Sequence, residues 1–331
     1  MAMHAFRSRH RPPGPALAPP GAPIPLLDQR SPGRGLQPTT FRWLAVLATI
    51  FAYAQISLGA AVRVSGSGLG CGNDWPLCHG HIVPPLNTQA IVEYAHRTVG
   101  SLTGVLLIVT VAVGWLTFRR SRPFVIGLVT AAAGLIVLEG LLGALVVFKD
   151  LAGVLVLAHL AVALALIGLL IAAAILAVPG SGTSTAPPFR QLTLVAMALT
   201  YALLLTGAGV VATGADKVCT SWPLCGGGLR LDLGGIALYA TLHRLVAGLV
   251  GLFLLYTLGT ALFRWRSVRH LSAAASVTLV LLLIQIGIGY PTATGHNLSL
   301  VDGLHVAVAT AVWCGVVAIA VFAHGPGMSS A

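Results

Sequence analysis

Eight apolar runs, each about 20 residues or longer, leave this chain few folds to adopt. They read at about 43–62, 92–117, 124–148, 152–178, 191–211, 237–263, 271–290 and 298–322. A helix rising 1.5 Å per residue needs roughly 20 apolar residues to cross a hydrocarbon core of about 30 Å. Only 8% of the 331 residues are charged, against about 25% in a soluble domain. Lipid must therefore be the main solvent. In lipid every backbone polar group has to be satisfied within the protein, so the expected fold class is all-α: a polytopic membrane protein with eight transmembrane helices.

A formal net charge of +11 raises nucleic acid as a partner, and its distribution removes it. Arg7, Arg9, Arg11, Arg30, Arg34 and Arg42 precede the first span, and Arg119, Arg120 and Arg122 separate spans two and three. Arg190 lies between spans four and five; Arg264, Arg266 and Arg269 lie between six and seven. The opposite side has only Arg63, Lys149, Lys217 and Arg230, besides Arg97 and Arg244 at helix mouths. Thirteen basic residues against four place both termini in the cytoplasm by the positive-inside rule. Residues 1–40, rich in Pro, Gly and Arg, read as a disordered cytoplasmic tail. Residues 323–331 read as a short second tail. The first apolar run exceeds a signal-peptide core and stays as a span. Seventeen arginines against two lysines, with much alanine and glycine, point to a high-GC bacterium, and the expected location is its cell membrane.

The tetrapeptide WPLC occurs twice, in "CGNDWPLCHG" (71–80) and "CTSWPLCGG" (219–227). The repeat extends further. "EYAHRTVGSLTGVLL" (93–107) aligns with "ATLHRLVAGLVGLFL" (240–254), placing His96 opposite His243, 147 residues apart. "DLAGVLVLAHLAVALA" (150–165) parallels "NLSLVDGLHVAVATA" (297–311), with His159 and His305 separated by 146. Each half holds an even number of spans, so the copies are parallel four-helix-bundle repeats. The expected units are residues 41–178 and 191–322, divided by the cytoplasmic linker "PGSGTSTAPPFR" at 179–190.

Spans two, four, six and eight run from outside to inside, and each carries one of these histidines four to seven residues in. That depth is about 6–11 Å. Ionisable residues inside a span are costly and signal function. Two imidazoles facing each other across a four-helix bundle suit bis-histidine haem ligation. Zinc suits them less, because no third and fourth ligand recurs in both halves. The glycine- and alanine-rich helices around them admit a flat macrocycle or simply close helix packing. Arg97 and Arg244 follow two of the histidines and suit haem propionates, or snorkelling to the interface.

Cys71 with Cys78, and Cys219 with Cys225, lie in outer loops, where disulfides persist. Each pair would close a Trp-Pro loop as a lid over its bundle. A zinc site from Cys71, Cys78, His79 and His81 is the alternative, and the second copy lacks both histidines. The halves differ in acid. Glu93 precedes His96 by three residues, on one helix face, and Ala240 replaces it in the second half. Glu139 in span three corresponds to Gln285 in span seven; it either lines the cavity or bonds within the bundle. The first half is therefore expected to be catalytic and the second to hold a permanent haem.

Together, "EYAHR" with Glu93 and His96, "AHL" with His159, "LHR" with His243, "LHV" with His305 and a cysteine pair in each half resemble the haem A synthase family over about residues 40–322. The resemblance implies oxidation of the C8 methyl of haem O to a formyl group through hydroxylated intermediates. It implies haem b held by His243 and His305, and substrate haem O held by His96 and His159. It implies a catalytic role for Glu93. The implied partners are the enzyme that farnesylates haem and the assembly route of cytochrome oxidase; a homo-oligomer is compatible with it. The rival reading is a di-haem b-type membrane cytochrome that only transfers electrons. A transporter of parallel repeats fits less well, since the polar groups cluster toward the outer side rather than the midplane.

Overall fold

The computed structural model describes residues 37–183, 185–294 and 299–325. Most of the expected N-terminal tail, residues 1–36, and residues 326–331 of the C-terminal tail lie outside them. Among the described residues there is no strand, only isolated bridges between Cys78 and His81 and between Pro223 and Gly228. The helices are α1 (Pro38–Val64), α2 (Thr88–Phe118), α3 (Pro123–Phe148), α4 (Gly153–Leu176), the one-turn α6 (Ala215–Val218) after α5 (Pro187–Thr213), then α7 (Ala237–Arg264), α8 (Arg269–Ala293) and α9 (Ser299–His324). All except α6 are long and apolar enough to cross a membrane. This is an all-α, multi-pass membrane protein with eight such helices among the described residues.

Local chemistry explains the ends. Proline opens α1, α3 and α5, where its missing N–H costs nothing and its fixed φ suits a helix. The Asn87 side chain caps α2 by accepting from the Ala90 N–H at 2.9 Å. That cap starts α2 four residues before the apolar run and brings Glu93 into its second turn. Helix α5 stops at Gly214, in a left-handed conformation at φ 74°. It begins at Pro187, within the stretch expected as linker.

The packing recurs between the halves. In the first, α1 packs on α2 and α4, and α3 on α2 and α4; in the second, α5 packs on α7 and α9, and α8 on α7 and α9. Across the halves α1 meets α9, α4 meets α5, and α4 meets α9. These contacts are compatible with two related four-helix bundles. Large apolar side chains such as Ile108, Trp115, Leu249 and Phe263 face outward, as lipid solvent requires. Buried threonines return their hydroxyls to their own helices: Thr103 to Val99 O, Thr110 to Leu106 O, Thr200 to Ala196 O, Thr278 to Ala274 O and Thr310 to Val306 O. No polar atom of theirs is left bare in hydrocarbon.

The segment joining the halves is not a free linker. Thr183 N–H donates to Phe322 O at 2.8 Å, and the buried Thr185 hydroxyl donates to Ala323 O at 3.0 Å. Gly182 and Gly325 meet backbone to backbone; a Cβ on Gly182 would lie 2.2 Å from the Gly325 Cα. The connection is thus fastened to the end of α9.

Candidate functional site

Each of the four intramembrane histidines faces the helix that precedes its own in chain order among the long helices. His96 on α2 meets α1, where Gln55 Nε2 stands 3.3 Å from its Nε2. His159 on α4 meets α3, with its Nδ1 2.9 Å from Glu139 Oε2. His243 on α7 meets α5, where its Nδ1 is 2.9 Å from the Thr206 hydroxyl. His305 on α9 meets α8, with Gln285 Nε2 at 3.1 and 3.2 Å from its two ring nitrogens. Within each half the two histidine-bearing helices pack on the same two helices, α2 and α4 on α1 and α3, α7 and α9 on α5 and α8.

Sequence reasoning missed how the rings are seated. A glycine stands opposite the Cε1 atom of every one of them. A Cβ at Gly59 would come within 3.1 Å of His96, at Gly143 within 3.5 Å of His159, at Gly207 within 3.0 Å of His243 and at Gly289 within 3.6 Å of His305. The signal was present in the chain: Gly59 and Gly207 are 148 apart and Gly143 and Gly289 146 apart, within one residue of the histidine offsets of 147 and 146. Gln55 and Thr206 carried no such signal, since position 203 is leucine and position 58 is leucine.

The outlying residues form a second layer. Cys71 and Cys78 form a disulfide and are fully buried, and Cys219 and Cys225 form another. Thiolate ligation by Cys71 and Cys78 is thereby ruled out, and with it the zinc alternative for that loop; the His79 ring contacts Gly70 O at 3.1 Å instead. Both Trp-Pro peptides, 75–76 and 222–223, are cis.

Glu93 is 3% exposed, and neither of its oxygens is free. Oε2 accepts from the Cys71 N–H at 2.8 Å, and Oε1 pairs with Arg97. Arg97 also donates to Asp74 O at 2.8 Å and to Leu77 O at 2.7 Å. Glu93 and Arg97 thus hold the first cysteine loop against α2. In the second half Arg244 does this without an acid, donating to the carbonyls of Ser221 and Cys219 and, at 2.9 Å, to Ala293. The structure engages both arginines with loop backbone.

The donor set fits haem. Imidazole pairs inside a helical bundle are natural axial ligands, and the four glycines clear space at the rings. Buried polar atoms with no partner cluster here: Gln55 Oε1, His96 Nδ1, Glu139 Oε1 and Gln285 Oε1. Unpaired buried groups are rare in a finished protein, so their concentration at three of the four histidines, His96, His159 and His305, points to a group that completes them. Among the described residues no cluster of three or more His, Cys, Asp or Glu is arranged to hold a bare metal ion.

Comparison with known proteins agrees with this chemistry. The sequence profile of the cytochrome oxidase assembly protein family matches residues 42–317. A protein of Alkalihalophilus pseudofirmus named "Heme A synthase" is 32% identical over 248 residues, covering 73% of this chain and 83% of the relative. One of Symbiobacterium thermophilum with the same name is 31% identical over 77% of this chain and 86% of its own length. Another, of Halalkalibacterium halodurans, is 29% identical over 84% of this chain and 97% of its own. With a match running through all eight long helices and these relatives alongside it, the chain belongs to the COX15-CtaA family of cytochrome oxidase assembly proteins.

Proposed function

We propose that this chain is a haem A synthase, an oxidoreductase that converts the C8 methyl of haem O to a formyl group through hydroxylated intermediates. The observation that carries the reading is the asymmetry between two otherwise matched histidine pairs. Both pairs have the same glycine clearance, yet among the described residues a carboxylate contacts a site histidine only in the first half: Glu139 stands 2.9 Å from His159, where Gln285 meets His305. The relatives' shared name favours this over an electron-transfer cytochrome.

In this reading His96 and His159 bind and orient haem O, and His243 and His305 hold haem b. Bound iron supplies the redox chemistry. The chain's own residues position and shield the substrate. Gly59 and Gly143 let the rings sit close to their neighbouring helices, while the long apolar helices exclude water. Glu93, at the mouth, keeps the loop closed through Cys71 and Arg97; its carboxylate is the nearest acid to His96 in sequence and the candidate for moving a proton there. The cysteine loops face outward and both termini face the cytoplasm. The substrate comes from a reaction that farnesylates haem, and the product passes to oxidase assembly.

Haem extraction from membranes supplied with haem O tests this. Native protein should yield haem A beside haem b. Glu93→Ala should retain haem b and stall at haem O or a hydroxylated intermediate. Haem b alone from native protein would sink the assignment.

A further inference from the structure

At the position Glu139/Gln285 the two histidine sites differ by a single carboxylate-for-amide exchange at matched places in the repeat. Both residues lie on the third long helix of their half, and each contacts the histidine of the fourth. One is a carboxylate and the other its amide isostere. Glu139 is 9% exposed, its Oε1 has no partner, and its Oε2 lies 2.9 Å from His159 Nδ1. The contact is close, and His159 Nδ1 has no other hydrogen-bond partner. A carboxylate kept deep in hydrocarbon is costly unless something else in the site uses it. A mere packing residue would be served better by the glutamine present in the other half.

We propose that Glu139 is the positioning residue of the first-half haem site. Its carboxylate accepts from His159 Nδ1–H when the ring is drawn into place. This would fix the tautomer with Nε2 free to bind haem iron and would make His159 a more electron-donating ligand. Gln285 performs the steric part for His305 without the charge, its amide orientation being interchangeable. The carboxylate therefore sets the first site at a lower potential than an amide would. Such partners of metal-bound histidines orient the ring and raise its basicity, and their loss typically costs roughly 10–100-fold in affinity. The inference rests on His159 and His305 being haem ligands, as proposed above.

The experiment uses the full-length protein purified with its haems, comparing native, Glu139→Gln, Glu139→Ala and Gln285→Glu. Midpoint potentials and haem retention are read for each site by spectroelectrochemistry and by dialysis against apomyoglobin. Glu139→Gln should raise the potential of the first-half haem and leave the second-half haem where it was. Glu139→Ala should in addition weaken first-half retention by roughly 10–100-fold. Gln285→Glu should lower the second-half potential, and it keeps the test alive if the Glu139 variants lose their haem. Unchanged potentials in Glu139→Gln and Gln285→Glu, with both haems bound, would overturn the role of Glu139 while leaving the synthase reading intact. A native first half that binds no haem would instead overturn the ligand assignment beneath it.

Discussion

Tyr53 on α1 donates its hydroxyl to the carbonyl of Ala307 on α9 at 3.1 Å. The relationship has a mirror: Tyr201 on α5 donates to Ala161 on α4 at 2.9 Å. The donors are 148 residues apart and the acceptors 146, and each acceptor lies two residues beyond a site histidine. The first helix of each half is thus pinned to the last helix of the other, which carries a site histidine.

Removing these hydroxyls tests the pinning. Interhelical hydrogen bonds in membranes average about 0.6 kcal/mol, with a maximum near 1.7. Tyr53→Phe and Tyr201→Phe should each lower stability by about that much. The sites do not share a partner, so the double variant should be close to additive. Unfolding in mixed micelles is the measurement, and a strongly super-additive loss would mean that the two bonds hold one cooperative interface.

The glycine clearances set an order of sensitivity. A methyl group at Gly59 or Gly207 meets a ring carbon at 3.1 or 3.0 Å, whereas at Gly143 or Gly289 it meets ordinary contact at 3.5 or 3.6 Å. Overpacking costs about 1–3 kcal/mol, on the order of tenfold or more in haem occupancy. Gly59→Ala should deplete the first-half haem and Gly207→Ala the second, with Gly143→Ala and Gly289→Ala close to native. Alanine favours the helix by about 1 kcal/mol, so the protein should remain folded. Pyridine haemochrome spectra with far-UV circular dichroism separate the two effects.

Glu93 should show as a latch before it shows as an acid. Its loss leaves the buried Cys71 N–H unsatisfied, a penalty of about 1–3 kcal/mol. In Glu93→Ala, hydrogen exchange at the Cys71 amide should quicken by roughly 5–150-fold, and the second cysteine loop should not change. Equal protection in variant and native protein would separate Glu93 from the loop.

The disulfides should contribute locally. Closing a loop as short as 71–78 stabilises by about 2–3 kcal/mol in the chain-entropy picture. Cys71→Ser with Cys78→Ser should open the first loop to added protease. The helices, whose core lies elsewhere, should keep their melting transition within a few degrees. A collapse of the whole bundle would show that the loop supports more than its own closure.

Much was legible without coordinates, for a physical reason: a bilayer accepts few backbone arrangements, so eight apolar runs in a chain so poor in charge dictate eight long helices. Repeat spacing alone singled out His96, His159, His243 and His305, because duplication leaves offsets that can be counted. Tertiary structure decided what those offsets cannot carry. Which side chain meets a ring depends on the rotation of each helix about its axis and on its neighbour, neither of which is encoded locally. Hence Gln55 and Thr206 went unseen, and Glu139, left open between cavity and bundle, proved to stand at His159. Arg97 and Arg244 suited propionates or the interface equally well by sequence. Folding of the cysteine loops brought backbone carbonyls to both guanidinium groups, and only that proximity determined their partners.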